Sequence, residues 1–516
     1  MARARRASVG AFHEGREISV AGKRGESDAR IHLRRGMAML GIAVLALLMI
    51  GGGGALAAVR DGVWQHQGDL NAPRETLPLG LGSCVSASTD GLLAVGGGID
   101  RDVGMDAGSV TLWQTAVPSR ADSGSGAAAG PRSLAAVIPH PKGSTSSGFG
   151  MSVALDPRGR LLCVGAPYEA GGLAWPEGFQ VGRVYIYELD RRGPQLEWQL
   201  AAVLASPADG LPGSAGGHFG ASIATDGIHV VVGSPDDSAQ AFAAGRCDVF
   251  TRGTEGWKHA AHFPSPTGEM TGRFGRSVAV DGDFIVVGWS QGDGSFPDQG
   301  RTDLYRLSRQ STRTGWHHGA VLQSPAPTQG GMFGASVGID GDLIAVGAPR
   351  EWTTQVDRDR SGQVHLWRLN RTGAIRLRLE ASIAPPRSIC RAVGEVRPEA
   401  FGMSLALRGS LLAVGATEAC ALDETEHEPA VLEGCGCIHV LERSNGIWTA
   451  TARLQSPQPT PEAHDGWGVA IGAQRHPWIA AARLGDLERS AGPGRVLIFS
   501  PTRRLEEVTA AGESNR

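Results

Sequence analysis

The sequence predicts an all-β fold: a seven-bladed β-propeller of four-stranded antiparallel blades, closed by a strand from its own N-terminal side. Three observations carry this. One block of sequence recurs seven times, each copy holds four short apolar runs separated by turn residues, and the last copy lacks its fourth run while a matching run stands ahead of the first copy. A single four-stranded blade cannot bury both faces alone, whereas neighbours in a ring can.

The first strand of each copy is the most regular. Phe149-Gly150-Met151-Ser152-Val153-Ala154 recurs as Phe219-Gly220-Ala221-Ser222-Ile223-Ala224 and again from Phe274, Phe333 and Phe401, with degenerate copies placed at Leu81-Gly82 and Trp467-Gly468. A turn follows, such as Asp281-Gly282-Asp283 or Asp340-Gly341-Asp342. Asp-Gly between alternating apolar runs predicts a tight hairpin with positive φ at both central residues. The second strand ends at a small-residue bend, Val164-Gly165-Ala166-Pro167 or Val346-Gly347-Ala348-Pro349, where proline removes the ladder donor. Glycine opens the third strand, as in Gly182-Arg183-Val184-Tyr185-Ile186-Tyr187. The fourth runs from Trp198 to Pro207, Trp257 to Pro266, Trp316 to Pro325 and Trp448 to Pro457, nine residues each time. The final copy stops at its third strand, Gly494 to Phe499, and the same spacing reappears from Trp64 to Pro73. The N-terminal strand is therefore expected to complete the last blade.

Composition agrees with a turn-rich chain: 75 of 516 residues are Gly, and 41% are hydrophobic, enough for a large core. A formal net charge of −3 gives no reason to expect nucleic acid as a partner. Residues 1–35 carry nine Arg or Lys and form a basic n-region, expected to be cytoplasmic and disordered; 36–59 are uncharged, with an apolar core from Met37 to Ile50 and a small-residue site at Ala55-Leu56-Ala57. This reads as a signal peptide, or as a single-span signal anchor. Either places the propeller, 63–500, outside the cytoplasm as a secreted or cell-envelope protein, with 501–516 as a disordered tail.

Seven copies in register resemble the FG-GAP repeat family, whose best-known members are the integrin α-chain propellers. Phe-Gly, Gly-Ala-Pro and the Gly-x-Val third strand carry the resemblance, and the fourth-strand Trp looks like a bacterial subtype. The resemblance implies protein or glycan recognition, with adhesion as the familiar role. Integrin-type propellers hold Asp-x-Asp-x-Asp-Gly calcium loops between the first two strands. The turns here are too short to wrap the 6–8 oxygen ligands calcium takes, so those sites are not carried over and no cofactor is expected.

Few residues suggest chemistry. Gly288-Trp289-Ser290-Gln291-Gly292 matches the nucleophile elbow of serine hydrolases, but that elbow needs a following helix and this motif runs into Gly, Ser and Pro. Asp357 and Asp359 begin like a calcium loop, yet Arg368 stands where the bidentate acid belongs. His66, His259 and His318 occupy equivalent fourth-strand positions, which lie far apart around a ring and so read as structural. Cys84, Cys163 and Cys247 read as small strand residues. Cys390, Cys420, Cys435 and Cys437 fall in loops; in an oxidising compartment they are disulfide candidates, with one bond expected between Cys390 and the neighbouring second-to-third-strand loop.

The long second-to-third-strand loops share one face. They carry Tyr168, Trp175, Phe179, Phe242, Trp289, Phe296 and Trp352, beside Asp236, Asp237, Asp293 and Asp298. Aromatics anchor protein and sugar contacts, so Tyr168, Trp175, Trp289, Phe296 and Trp352 are candidate ligand-binding residues. No acid, base or nucleophile recurs at a diagnostic place, which favours a non-catalytic binding or scaffold protein with a protein or glycan ligand over an enzyme acting on glycans or polymers through a loop-built site.

Overall fold

The computed structural model describes residues 64–71, 81–98, 107–115, 131–144, 146–170, 180–190, 197–208, 217–310, 313–352, 360–386, 398–423, 430–461, 463–472, 477–483 and 494–501. Chain contacts divide the protein into Met1–Ala58 and Val59–Arg516. All described residues belong to the second unit, so the expected n-region, apolar segment and tail beyond Pro501 lie outside them.

The second unit is a seven-bladed β-propeller: seven four-stranded antiparallel sheets follow one another along the chain. Blade two shows the pattern, with strands Ser152–Leu155, Leu161–Ala166, Arg183–Asp190 and Glu197–Leu204 from inside outwards. First strands touch in sequence around the ring, and the last, Asp465–Gly472, touches the first, Leu81–Ala87. The ring closes as expected. Trp64–Asn71 pairs antiparallel with Arg495–Pro501, the third strand of blade seven.

Seven apolar clusters make up the core, one per blade junction. Between blades two and three, for example, Cys163, Val184, Ile186 and Leu204 meet Phe219, Val230, Val232 and Phe250. Two repeated hydrogen bonds lock the six junctions from blade one to blade seven and account for the Phe-Gly-x-Ser motif. Phe219 N donates to Val181 O of the blade before, as Phe149 N does to Ala107 O and Phe333 N to Gln299 O. The serine hydroxyl then donates to the motif-glycine carbonyl of the blade after: Ser152 to Gly220 at 2.6 Å, Ser222 to Gly275, Ser277 to Gly334, Ser336 to Gly402 and Ser404 to Gly466. Cys84 Sγ fills the same role toward Gly150 O.

This chain of bonds corrects the seventh repeat. The motif glycine there is Gly466, in the left-handed region at φ 87° like Gly150 at 92°, and Asp465 holds the phenylalanine position. Asp465 makes the same parallel bridge to Gly436 that Phe274 makes to Gly245. The expected Trp467-Gly468 placement is thus two residues late, and Gly468 stands where the serine would be. The closing junction has no hydroxyl link and is fastened by the N-terminal strand.

The fourth strands depart from simple alternation. In blade two the register skips Ala201, between pairs Tyr187–Leu200 and Ile186–Ala202. The same bulge recurs in every blade, including the clasp strand between His66 and Gly68. One extra residue flips the side-chain alternation. Trp198 and Leu200 therefore face one neighbour, and Ala202 and Leu204 the other.

The hairpins also differ from expectation. Asp281 pairs with Phe284 and Asp340 with Leu343, so the two-residue loops are Gly282-Asp283 and Gly341-Asp342. Only the glycine has positive φ, 58° and 57°, as in a type II′ turn. Asp281 instead reaches the next blade and accepts a bond from Gly341 N at 2.9 Å.

The second-strand glycine is dictated by close approach. A Cβ on Gly288 would lie 2.2 Å from Gly334 O, and one on Gly165 2.2 Å from Gly220 O. Gly288→Ala is expected to cost about 1–3 kcal/mol or more by pushing two backbones apart, read as a lower urea midpoint. A variant as stable as the parent would show that blades separate freely.

Candidate functional site: the loop face

Second-to-third-strand loops and fourth-to-first-strand connections interlock on one face. Thr271 N donates to Phe242 O at 2.7 Å and Arg273 N to Ala243 O at 3.1 Å. The Glu269 carboxylate accepts from Asp293 N at 2.8 Å. Gly330 N and Met332 N donate to Pro297 O and Asp298 O. Loops of blades three, four and five are thus stitched into one surface. On it Phe242 is 66% exposed, Met270 68% and Phe296 45%.

The candidate residues do not all reach this surface. Trp289 is fully buried: its indole N–H donates to Asp303 Oδ2 at 2.8 Å, and the Arg301 guanidinium lies 4.9 Å above its ring. It packs on Phe274 in the core between blades three and four and cannot touch a ligand. Ser290, the serine of the elbow-like motif, is buried at the loop start. Tyr168 is half-buried, its ring edge-on to His218 at 5.0 Å. Trp352 is half-buried, and its carbonyl accepts from Gln363 Nε2 at 2.7 Å. Trp175, Phe179, Asp357 and Asp359 lie outside the described residues. Met270 was not singled out by sequence; it sits in a fourth-to-first connection and is not aromatic.

The acids divide in the same way. Asp236 accepts from His218 Nδ1 at 2.6 Å, and that bond holds its carboxyl below the ordinary carboxylate range. Asp237 is buried, burial pushes its pKa up, and it accepts from Ala239 N. Among the described residues no group of three His, Cys, Asp or Glu could hold a metal ion. His259 and His318 bond Asp248 and Asp303 of their own blades, and His66 bonds Asp69.

Behind the loops lies a set of buried polar networks. In blade two, Glu169 Oε2 accepts from the Tyr185 hydroxyl at 2.7 Å and lies 3.3 Å from His140 Nε2. In blade five, Glu351 holds His365 Nε2 at 2.6 Å, and His365 Nδ1 lies 2.8 Å from the Ser382 hydroxyl. Serine, histidine and acid occur here in hydrolase order. The histidine, however, is fully buried at the third-strand position that Tyr185 fills in blade two. These networks satisfy the loop acids and fix the loop roots.

Cys420 is disulfide-bonded. Cys435 and Cys437, also offered as bridge candidates, are free and buried thiols, as are Cys163 and Cys247; Cys84 is half-buried, its thiol donating to Gly150 O. Cys437 opens a core strand against Ala416 and Ala419, which is why it is not in a loop as expected. Cys390 lies outside the described residues.

The fold defines this protein as a seven-bladed β-propeller. No family model and no curated protein matches the chain. Among solved structures it is similar to the crystal structure of RRP9 WD40 repeats, with a TM-score of 0.46 and 12% identity, over 85% of this chain and 97% of that one.

Proposed function

We infer that the protein is an FG-GAP-type binding or scaffold propeller, exported or held in the cell envelope, that recognises a protein or glycan through its loop face. The observation that carries the reading is the contiguous set Phe242, Met270 and Phe296, exposed on interlocked loops whose roots are buried and hydrogen-bonded. Large apolar side chains on a rigid polar rim are what a recognition surface presents. The motif spacing supports the repeat family, segment 36–59 supports export, and the disulfide at Cys420 fits an oxidising compartment.

The test compares two faces at matched exposure. Ile228 and Ile447 are 57% and 68% exposed in the hairpins of the opposite face. Phe242→Ala, Met270→Ala and Phe296→Ala should each weaken binding to a glycan-array or envelope-protein ligand by about fivefold or more, at unchanged melting temperature. Ile228→Ala and Ile447→Ala should not. A larger loss from the isoleucine variants would put the ligand on the wrong face.

A further inference from the structure

An open groove of about 720 Å³ lies between blades four and five, near the hairpin face and away from the loop surface. Asp283, Arg306, Arg309, His317, Gly319 and Ile375 line it. Its chemistry becomes clear from the same place one junction further on.

Between blades five and six that place is filled from within. Glu380 is the bulge residue of the fourth strand of blade five, skipped between pairs Trp367–Leu379 and Leu366–Ala381. Its carboxylate accepts from Arg368 Nε at 2.8 Å, from Arg443 Nε at 2.6 Å and from Trp448 Nε1 at 3.0 Å. Burial pushes its pKa up, but the hydrogen bonds from Arg443, Arg368 and Trp448 prevail and hold it at about 2.

In blade four the bulge residue is Gly319, skipped between pairs Tyr305–His318 and Leu304–Ala320. Arg306 holds the position of Arg368, since each pairs with the first residue of its blade's second strand, Phe284 or Leu343. Arg306 donates through Nη1 to Gly373 O at 2.6 Å and through Nη2 to Arg371 O at 3.4 Å, and it lies 5.6 Å above the Phe284 ring. Its Nε, the atom that in Arg368 meets Glu380, has no acceptor among the described residues. The one carboxylate in the groove, Asp283, is bound to Arg309 at 2.7 Å, so the Arg306 charge is left uncompensated. His317 Nε2 is buried with no hydrogen-bond partner, while the neighbouring His318 is bonded to Asp303. Blade four thus keeps the arginine of the Glu380 site, lacks its carboxylate, and adds an unpartnered imidazole nitrogen.

We propose that the groove between blades four and five is a binding site for a carboxylate-bearing small molecule, whose carboxylate takes from Arg306 Nε and His317 Nε2 the hydrogen bonds that Glu380 takes from its own partners. Charge-assisted bonds of this kind are the strong ones, and the volume is that of a small-ligand site.

The experiment uses saturation-transfer NMR on the full chain, with D-glucuronate and acetate as carboxylate probes and D-glucose and inorganic phosphate as controls. Glucuronate should bind and glucose should not. Full competition by acetate would identify simple carboxylates as the source, and failure to compete would identify acidic sugars; both support the site. Arg306→Gln and His317→Ala should each weaken binding about tenfold or more. Because Arg306 also holds backbone carbonyls, Gly319→Glu supplies an independent test. It introduces the acid found one blade on, at a glycine without positive φ, where the added Cβ meets only the tip of Ile375 and, more loosely, Leu304 O. It should abolish glucuronate binding with the melting temperature unchanged or raised. Absence of carboxylate binding to the folded parent, binding unaffected by Gly319→Glu, or phosphate binding more tightly than both carboxylates would each overturn the proposal. Loop-face variants should leave it intact, so this site and the loop-face reading fail separately.

Discussion

Deleting residues 63–73 should open the ring and lower stability by several kcal/mol. The clasp strand contributes core at two junctions. Trp64 is buried with Leu411, Val440, Leu454 and Phe499 between blades six and seven, and Leu70 with Leu93, Val95 and Trp478 between blades seven and one. Trp64→Ala alone should cost about 3–5 kcal/mol and Leu70→Ala about 2–5 kcal/mol, because each leaves a cavity in a packed junction. The full deletion also strips the ladder from Arg495–Pro501 and the Asp69–Arg495 ion pair at 2.9 Å. An unpaired edge strand invites association, so the deleted protein should melt lower and elute partly as oligomer in size-exclusion chromatography. The seventh junction, without the serine or cysteine link of the other six, depends on this strand more than any other. Melting and elution unchanged by the deletion would mean that the ring holds without its clasp.

The sequence was legible where the same physical demand recurs seven times. Each Phe-Gly-x-Ser meets the same carbonyl and the same backbone approach, so the copies keep their spacing and expose the order of strands, including the displaced one. Where a repeat meets that demand differently, the register slips: Asp465 replaces the phenylalanine of blade seven, and the nearby Trp467 draws the alignment two residues along. The bulge left no trace because its residue varies freely, Ala201, Gly319 or Glu380, while its backbone does not. The loops were least legible. Trp289 looks like a loop aromatic until Asp303, fourteen residues on, is seen to hold its indole N–H. Its sister residues Ala166, Ser234 and Ala348 are buried strand ends, and that equivalence is the signal that marks it as core.

Restoring the repeat pattern at the junction of blades six and seven, where Asp465 bridges Gly436, should stabilise the protein, whereas half-restoring it should do the reverse. Asp465 and Arg483 are both buried and bonded through Arg483 Nε at 2.8 Å, but Asp465 Oδ2 and Arg483 Nη2 are buried without partners. A buried ion pair with unmet hydrogen bonds scarcely offsets its desolvation. Burial dominates at Asp465 and, against the pull of Arg483, pushes its pKa from 3.8 to about 6. The folded state therefore holds a proton through a window in which the unfolded chain has lost it. Stability from this group is greatest below about pH 4, falls as pH rises to about 6 and is flat above. Sister repeats place phenylalanine at this position and, in three blades, alanine opposite it, as in Phe333 with Ala348. The third strand of blade seven offers Leu497 and Phe499 to such a ring. Asp465→Phe with Arg483→Ala should thus gain about 1–4 kcal/mol at pH 7 and lose the slope between pH 4 and 6. Arg483→Ala alone should cost about 3–5 kcal/mol at pH 7 by leaving the carboxylate unpaired, and less at pH 5, where the acid can take up its proton. Urea unfolding of the parent, both single variants and the double variant at the two pH values measures the coupling directly. A double variant less stable than the parent at pH 7 would mean that the ion pair, and not the apolar pattern of the other blades, is what closes this junction best.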